Sequence, residues 1–185
     1  MKTLTLLLAI LLFTITVQAK TYIIGSGKWS DASIWGGEYM GSVIKIGDSV
    51  IVTGQITMNT AIVVEGTLVV GKGATMSGMK DLTVTPKGVF VNNGNTVVKR
   101  ILNAGSIQNN MIMEAMMDIE NRSSIVNNNA MITGNNFDNI EGTAAGDKGS
   151  YLINNKINAS PSSILNSNVR VFTGSITENQ PVTCE

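Results

Sequence analysis

Short apolar runs, each opened by a small residue, recur along the chain from residue 66 onward. Gly66-Thr67-Leu68-Val69-Val70 is followed by Gly88-Val89-Phe90-Val91-Asn92-Asn93, Gly105-Ser106-Ile107-Gln108-Asn109-Asn110 and Ser123-Ser124-Ile125-Val126-Asn127-Asn128. Gly149 to Asn155, Ser162 to Asn166 and Gly174 to Thr177 continue the theme. A strand of three to five residues cannot bury its apolar face alone, but stacked copies share one continuous core. Glycine and asparagine tolerate the left-handed backbone of a sharp corner, and stacked asparagines can hydrogen-bond from coil to coil. Twenty asparagines follow residue 19. The regular valine, isoleucine and leucine between them argue against a disordered tract.

The spacing between copies varies from 12 to 26 residues. A β-helix accommodates that variation because loops leave at its corners, whereas a propeller or leucine-rich array is stricter. The pattern therefore predicts an all-β protein: a right-handed parallel β-helix of about six coils, at roughly 4.8 Å per coil, with a tryptophan-containing N-terminal cap. Thr85-Pro86-Lys87-Gly88 has the composition of a type I turn and fits a corner. The stretch Met111 to Glu120 is ambiguous. With period two, Met111, Met113, Ala115, Met117 and Ile119 face inward; as a helix, Glu114, Asp118 and Asn121 share a polar stripe. The neighbouring coils favour strand.

The start of the chain has a different pattern. Lys2 precedes an apolar run from Leu4 to Val17, and Val17-Gln18-Ala19 ends it with small residues at the two positions a signal peptidase reads. Residues 1–19 read as a secretory signal peptide cleaved after Ala19, too short for a comfortable membrane span. Residues 20–180 then form a single β-helix domain with the cap at 20–42, and 181–185 form a tail. The mature chain is expected outside the cell or at its surface, with no transmembrane segment.

Composition narrows the chemistry. Without Lys2 the chain carries 12 basic and 13 acidic residues, so nothing suggests nucleic acid. With no histidine, Ser–His and Cys–His nucleophiles and His-ligated metals are excluded. No cofactor or metal site is expected. The one cysteine, Cys184, cannot form an internal disulfide, and the sequence leaves open whether it pairs with another chain.

Trp29-Ser30-Asp31-Ala32-Ser33-Ile34-Trp35, followed by Gly47-Asp48-Ser49-Val50-Ile51-Val52, resembles the opening of secreted bacterial parallel β-helix proteins of the pectate-lyase-like kind. More distantly it resembles the eight-glycine domain of hyaluronan-related surface proteins. Ile44 stands where those families usually carry proline. The resemblance implies architecture more than activity. From the residues themselves, Trp29 and Trp35 are expected to be a structural cap over the first coil near Val50 and Val52, with Ser30 capping a helical turn. The alternative is a sugar-stacking platform.

Glu114, Asp118 and Glu120 are the candidate carboxylate cluster, because residues two apart on one strand face lie about 6.6–6.8 Å apart. That separation suits an inverting glycosidase or a shared calcium. Lys99-Arg100 is a weak match to an acidic-sugar contact. Asp138, Glu141 and Asp147 fall in what reads as an exposed loop, Asn135 to Ser150, and Asn121 and Asn158 match the glycosylation acceptor pattern. The leading expectation is a non-enzymatic secreted or cell-surface module with a structural, adhesive or glycan-contacting role, its partner an extracellular glycan or protein. The alternative is a small carbohydrate-active β-helix enzyme. An ice- or crystal-binding solenoid ranks below both, because Thr53, Thr57, Thr60 and Thr67 do not continue at a fixed interval.

Overall fold

The computed structural model describes residues 18–37, 39–140 and 142–145, together with the backbone of strands at 150–153, 156–159, 164–165 and 169–171. Apart from one 3-10 turn, every regular element among them is a strand, and the strands build a parallel β-solenoid with three sides. Each coil gives one strand to each side in turn. Among the described residues the sheets hold eight, eight and seven strands.

The first sheet runs through Thr21–Ile24, Ser49–Val52, Thr67–Val70, Val89–Asn92, Ser106–Asn109, Ser124–Asn127, Thr143–Ala145 and Ile164–Leu165. The repeat read from the sequence is this one side, seen coil after coil. Among the described residues it slips at Gly149 to Asn155, where the strand Ser150–Ile153 belongs to the second sheet and pairs with Ala130–Thr133; the copy at Gly174 to Thr177 lies outside the described residues. The first-sheet strand of that coil is Thr143–Ala145, so the expected loop from Asn135 to Ser150 is corrected: Asn136–Asn139 is also a strand, and Phe137 and Ala144 are fully buried.

Alternation along each strand puts every second residue inside. Val50, Leu68, Phe90, Ile107, Ile125 and Ala144 stack in register on the first side. Ile62, Leu82, Ile101, Ile119 and Phe137 do so on the third. All are buried. Each large aliphatic so buried contributes about 1.5–3 kcal/mol, and neither neighbour could be buried without the other.

The corners explain the small residues. A Cβ at Gly88 would run into the Val64 carbonyl oxygen, and one at Gly105 into the carbonyls of Thr85 and Gly88. Only glycine lets successive coils approach there. The turn at Thr85-Pro86-Lys87-Gly88 closes with Gly88 N–H donating to the Thr85 carbonyl at 2.8 Å.

Asparagine takes over at the strand ends. Val52 and Val70 occupy the register position that Asn92, Asn109 and Asn127 hold in later coils. Asn92 donates to Asn109, and Asn109 to Asn127, both at 2.8 Å. On the third side Asn103 donates to Asn121 at 2.7 Å, and Asn121 to Asn139 at 2.6 Å. These residues are buried. A third ladder on the outside runs the opposite way, from Asn128 to Asn110 to Asn93.

Met111 to Glu120 resolves into two strands, Ile112–Ala115 and Ile119–Asn121, on different sides. Met113, Ala115 and Ile119 face inward as the strand pattern required. Met111 and Met117 are instead exposed, because each lies at a corner: Asn110 and Met111 between the first and second sides, Met116 to Asp118 between the second and third.

Candidate functional site

The first coil is built differently from the rest. Between its second and third sides it inserts a 3-10 turn, Ala32–Trp35, where the sequence supplies Trp-Ser-Asp-Ala-Ser-Ile-Trp. Its N-cap is Asp31 rather than Ser30. The Asp31 carboxylate accepts from Ser33 N–H at 3.0 Å and Ser33 Oγ at 2.8 Å, which holds its carboxyl below the usual range. Ser30 Oγ accepts from Asn59 Nδ2 of the next coil instead. Gly36, with a positive φ of 76°, ends the turn.

Both indoles lie inside. Trp29 is 0 % and Trp35 7 % exposed, in one buried cluster with Val50 and Val52. Trp35 Nε1 donates to the Trp29 carbonyl at 2.7 Å, and Trp29 Nε1 to the Gly41 carbonyl at 3.1 Å, so neither polar edge is stranded. Trp35 is the hub of an aromatic group. Its ring meets Trp29 at 4.8 Å, Tyr22 at 5.8 Å and Tyr39 at 5.9 Å between centroids, each edge to face. The tryptophans therefore do not form an exposed platform.

The tyrosines they support do reach a surface. Tyr22, Tyr39, Lys20, Lys45 and Asp48 line an open depression of about 360 Å³. Tyr22 and Tyr39 are half-buried, and burial pushes the Tyr39 phenol above its ordinary value. Asp48 sits in the turn that leads into the second coil: its N–H donates to the Lys45 carbonyl at 2.9 Å, and its Oδ1 accepts from Lys20 N–H at 3.0 Å. The lining thus offers two aromatic rings with hydroxyls, two ammonium groups and one carboxylate. Sequence reasoning missed this site. Gly47-Asp48 was legible only as the entry to a strand, and Tyr22 and Tyr39 flank the tryptophan motif without belonging to it.

The sequence-derived carboxylate cluster is not brought together on one face. Glu114 lies on the second side, opposite Val97 and Ile132. Asp118 occupies the corner, where its Oδ1 accepts from Asn135 Nδ2, Asn136 N–H and Asn136 Nδ2. Glu120 lies on the third side beside Asp138 and pairs with Arg122. Arg100 is engaged by Asp81. Among the described residues no three acidic or cysteine side chains are grouped to hold a metal ion. Asn121, a glycosylation-pattern match, is buried within its ladder, where no sugar could be attached without opening the core. Glu141, Asp147, the Asn158 side chain and Cys184 lie outside the described residues. No helix among the described residues is long and apolar enough to cross a membrane. Comparison with protein-family models, curated proteins and solved structures returns no match.

Proposed function

We propose that the chain is an exported or cell-surface β-solenoid module, not an enzyme, that contacts an extracellular glycan at the N-terminal depression. The observation that carries this reading is the pair of half-buried tyrosine rings beside Lys20, Lys45 and Asp48, in a depression whose volume of about 360 Å³ falls in the range of small-ligand sites. Ring faces pack on the C–H faces of a sugar, while the hydroxyls, ammonium groups and carboxylate supply donors and acceptors for its hydroxyls. Trp29 and Trp35 serve this site from behind and close the N-terminal end of the core. Export follows from Lys2, the Leu4 to Val17 run and Val17-Gln18-Ala19, with cleavage after Ala19.

A glycan array probed with the chain from Lys20 onward, and with Lys45→Ala and Tyr39→Ala, tests the proposal. The wild type should retain a defined set of glycans, and both variants should lose them by about tenfold or more. Lys45→Ala should melt like the wild type, because the side chain is exposed. A wild type that retains no glycan, or variants that bind equally well, would overturn the reading. Release of shortened products from a bound oligosaccharide would overturn its non-enzymatic part.

A further inference from the structure

One peptide bond is marked twice, on independent grounds. Val17-Gln18-Ala19 places the expected leader cleavage between Ala19 and Lys20. Among the described residues, Lys20 is the first with a backbone hydrogen bond to the solenoid. Its N–H donates to Asp48 Oδ1 at 3.0 Å, and its carbonyl accepts from Ser49 N–H at 2.8 Å. On the other side of the bond, Gln18 lies on the rim of the depression, and the Ala19 methyl lies beside Gly47.

We infer that leader removal installs an ion pair in this site: the N-terminal ammonium created at Lys20 binds the Asp48 carboxylate that receives its amide N–H in the uncut chain. The inference rests on the export reading above and is independent of the glycan. Hydrolysis by the exporting signal peptidase adds one water across the Ala19–Lys20 bond. The new carboxylate departs on Ala19 with the leader, and the amine left on Lys20 takes up a proton. A single neutral donor becomes a cation with three N–H groups, already within hydrogen-bond distance of Oδ1. Charge-assisted bonds of this kind are about twice as strong as neutral ones. The same cut takes Gln18 off the rim and widens the depression in front of Tyr22 and Tyr39.

The charged or titratable groups facing the new amine are Asp48, the side-chain ammoniums of Lys20 and Lys45, and the phenols of Tyr22 and Tyr39. The lysines oppose its charge, but Asp48 is the group in direct contact. The amine therefore titrates above the ordinary N-terminal range of about 7.7–8.0. A folded-state value raised in this way gives stability that is fully present below that range and is lost as pH rises through the folded value.

The test begins with N-terminal sequencing of the exported protein, which should start at Lys20. Three proteins are then compared: the chain from Lys20, the same chain with Asp48→Asn, and a chain from Val17 in which the Lys20 nitrogen is still an amide. Titration of the ¹³C-methylated N-terminal amine by NMR should place the Lys20 chain half a pH unit or more above Asp48→Asn. Its melting temperature should fall more steeply from pH 7.5 to 9.5 than that of either other protein. Asp48→Glu, which keeps the charge, should retain the raised titration and guards against a folding defect in the amide variant. An exported chain beginning elsewhere, equal titration in wild type and Asp48→Asn, or the same pH response in all three proteins would overturn the inference. None of these readouts involves a glycan, so failure of the glycan proposal leaves this result separately interpretable.

Discussion

Asn109 is the best place to measure what the buried amide ladders contribute. Its side chain is 0 % exposed, and it accepts from Asn92 Nδ2 at 2.8 Å. It donates to Asn127 Oδ1 at 2.8 Å and to the Ala130 carbonyl at 2.9 Å. Asn109→Ala removes all three bonds, each worth about 1 kcal/mol net, and deprives buried polar groups of partners that water cannot replace, at about 1–3 kcal/mol each. The neighbours relax part of that loss, so the expected cost is about 3–5 kcal/mol. Asn110→Ala is the control. It breaks the outer ladder, with bonds of 2.7 Å to Asn93 and 2.8 Å from Asn128, but at a half-buried position that water reaches. Its cost should be about 1 kcal/mol or less. Replacing the whole row by Asn92→Val, Asn109→Val and Asn127→Val should cost less than the sum of the three single Val substitutions, because Val52 and Val70 fill the same row in earlier coils. Equilibrium urea denaturation reads all of these. If Asn109→Ala falls within 1 kcal/mol of Asn110→Ala, the ladder is not what holds these coils together.

Trp35→Ala should cost about 3–5 kcal/mol in thermal melts, as for a truncated core aromatic, and should abolish the near-ultraviolet circular dichroism of the ring group it joins. Unchanged melting would mean the rings contribute little to the core. Gly105→Ala should cost about 1–3 kcal/mol or more from its clash with the previous coil, while Gly25→Ala, where the added methyl meets nothing within 4 Å, should melt like the wild type. The Arg100 guanidinium hydrogen-bonds Asp81 and holds its carboxyl below the usual value. That contribution is present above the unfolded value and lost as pH falls through the folded one, so wild type and Asp81→Asn should differ in melting temperature at pH 7 and converge as falling pH protonates the Asp81 carboxyl. Added salt should narrow the difference, since the pair is partly open to solvent.

The core of the solenoid was legible because it depends on local alternation. Leu68, Phe90, Ile107 and Ile125 each sit in a short run opened by a small residue, and any pairing that buries one buries all. The corner glycines were expected for a left-handed backbone, but Gly88 and Gly105 are required instead by the close approach of carbonyls from the preceding coil. The carboxylates were misjudged because a corner was invisible: Met116 to Asp118 turn the chain, so Glu114 and Glu120 leave on different sides although the sequence keeps them close. Ser30 lost its capping role to Asp31 by one residue, a difference that side-chain geometry alone decides.

Sequence by itself therefore determined the class of fold, the side of each strand that faces inward, and the recurrence of small residues at the corners. All of these follow from backbone sterics and period-two burial. Only the tertiary structure decided register, because coil length varies from 17 residues between Asn92 and Asn109 to 28 between Lys20 and Asp48. Thr21, Ser49 and Thr67, and later Ser106, Ser124 and Thr143, fall in one outward row broken at Val89, an alignment no fixed interval reveals. Likewise only the fold brings Lys20, Tyr22, Tyr39, Lys45 and Asp48 to one depression. Contacts between coils depend on how much chain each corner consumes, and that quantity is settled by packing rather than by any residue's own preference.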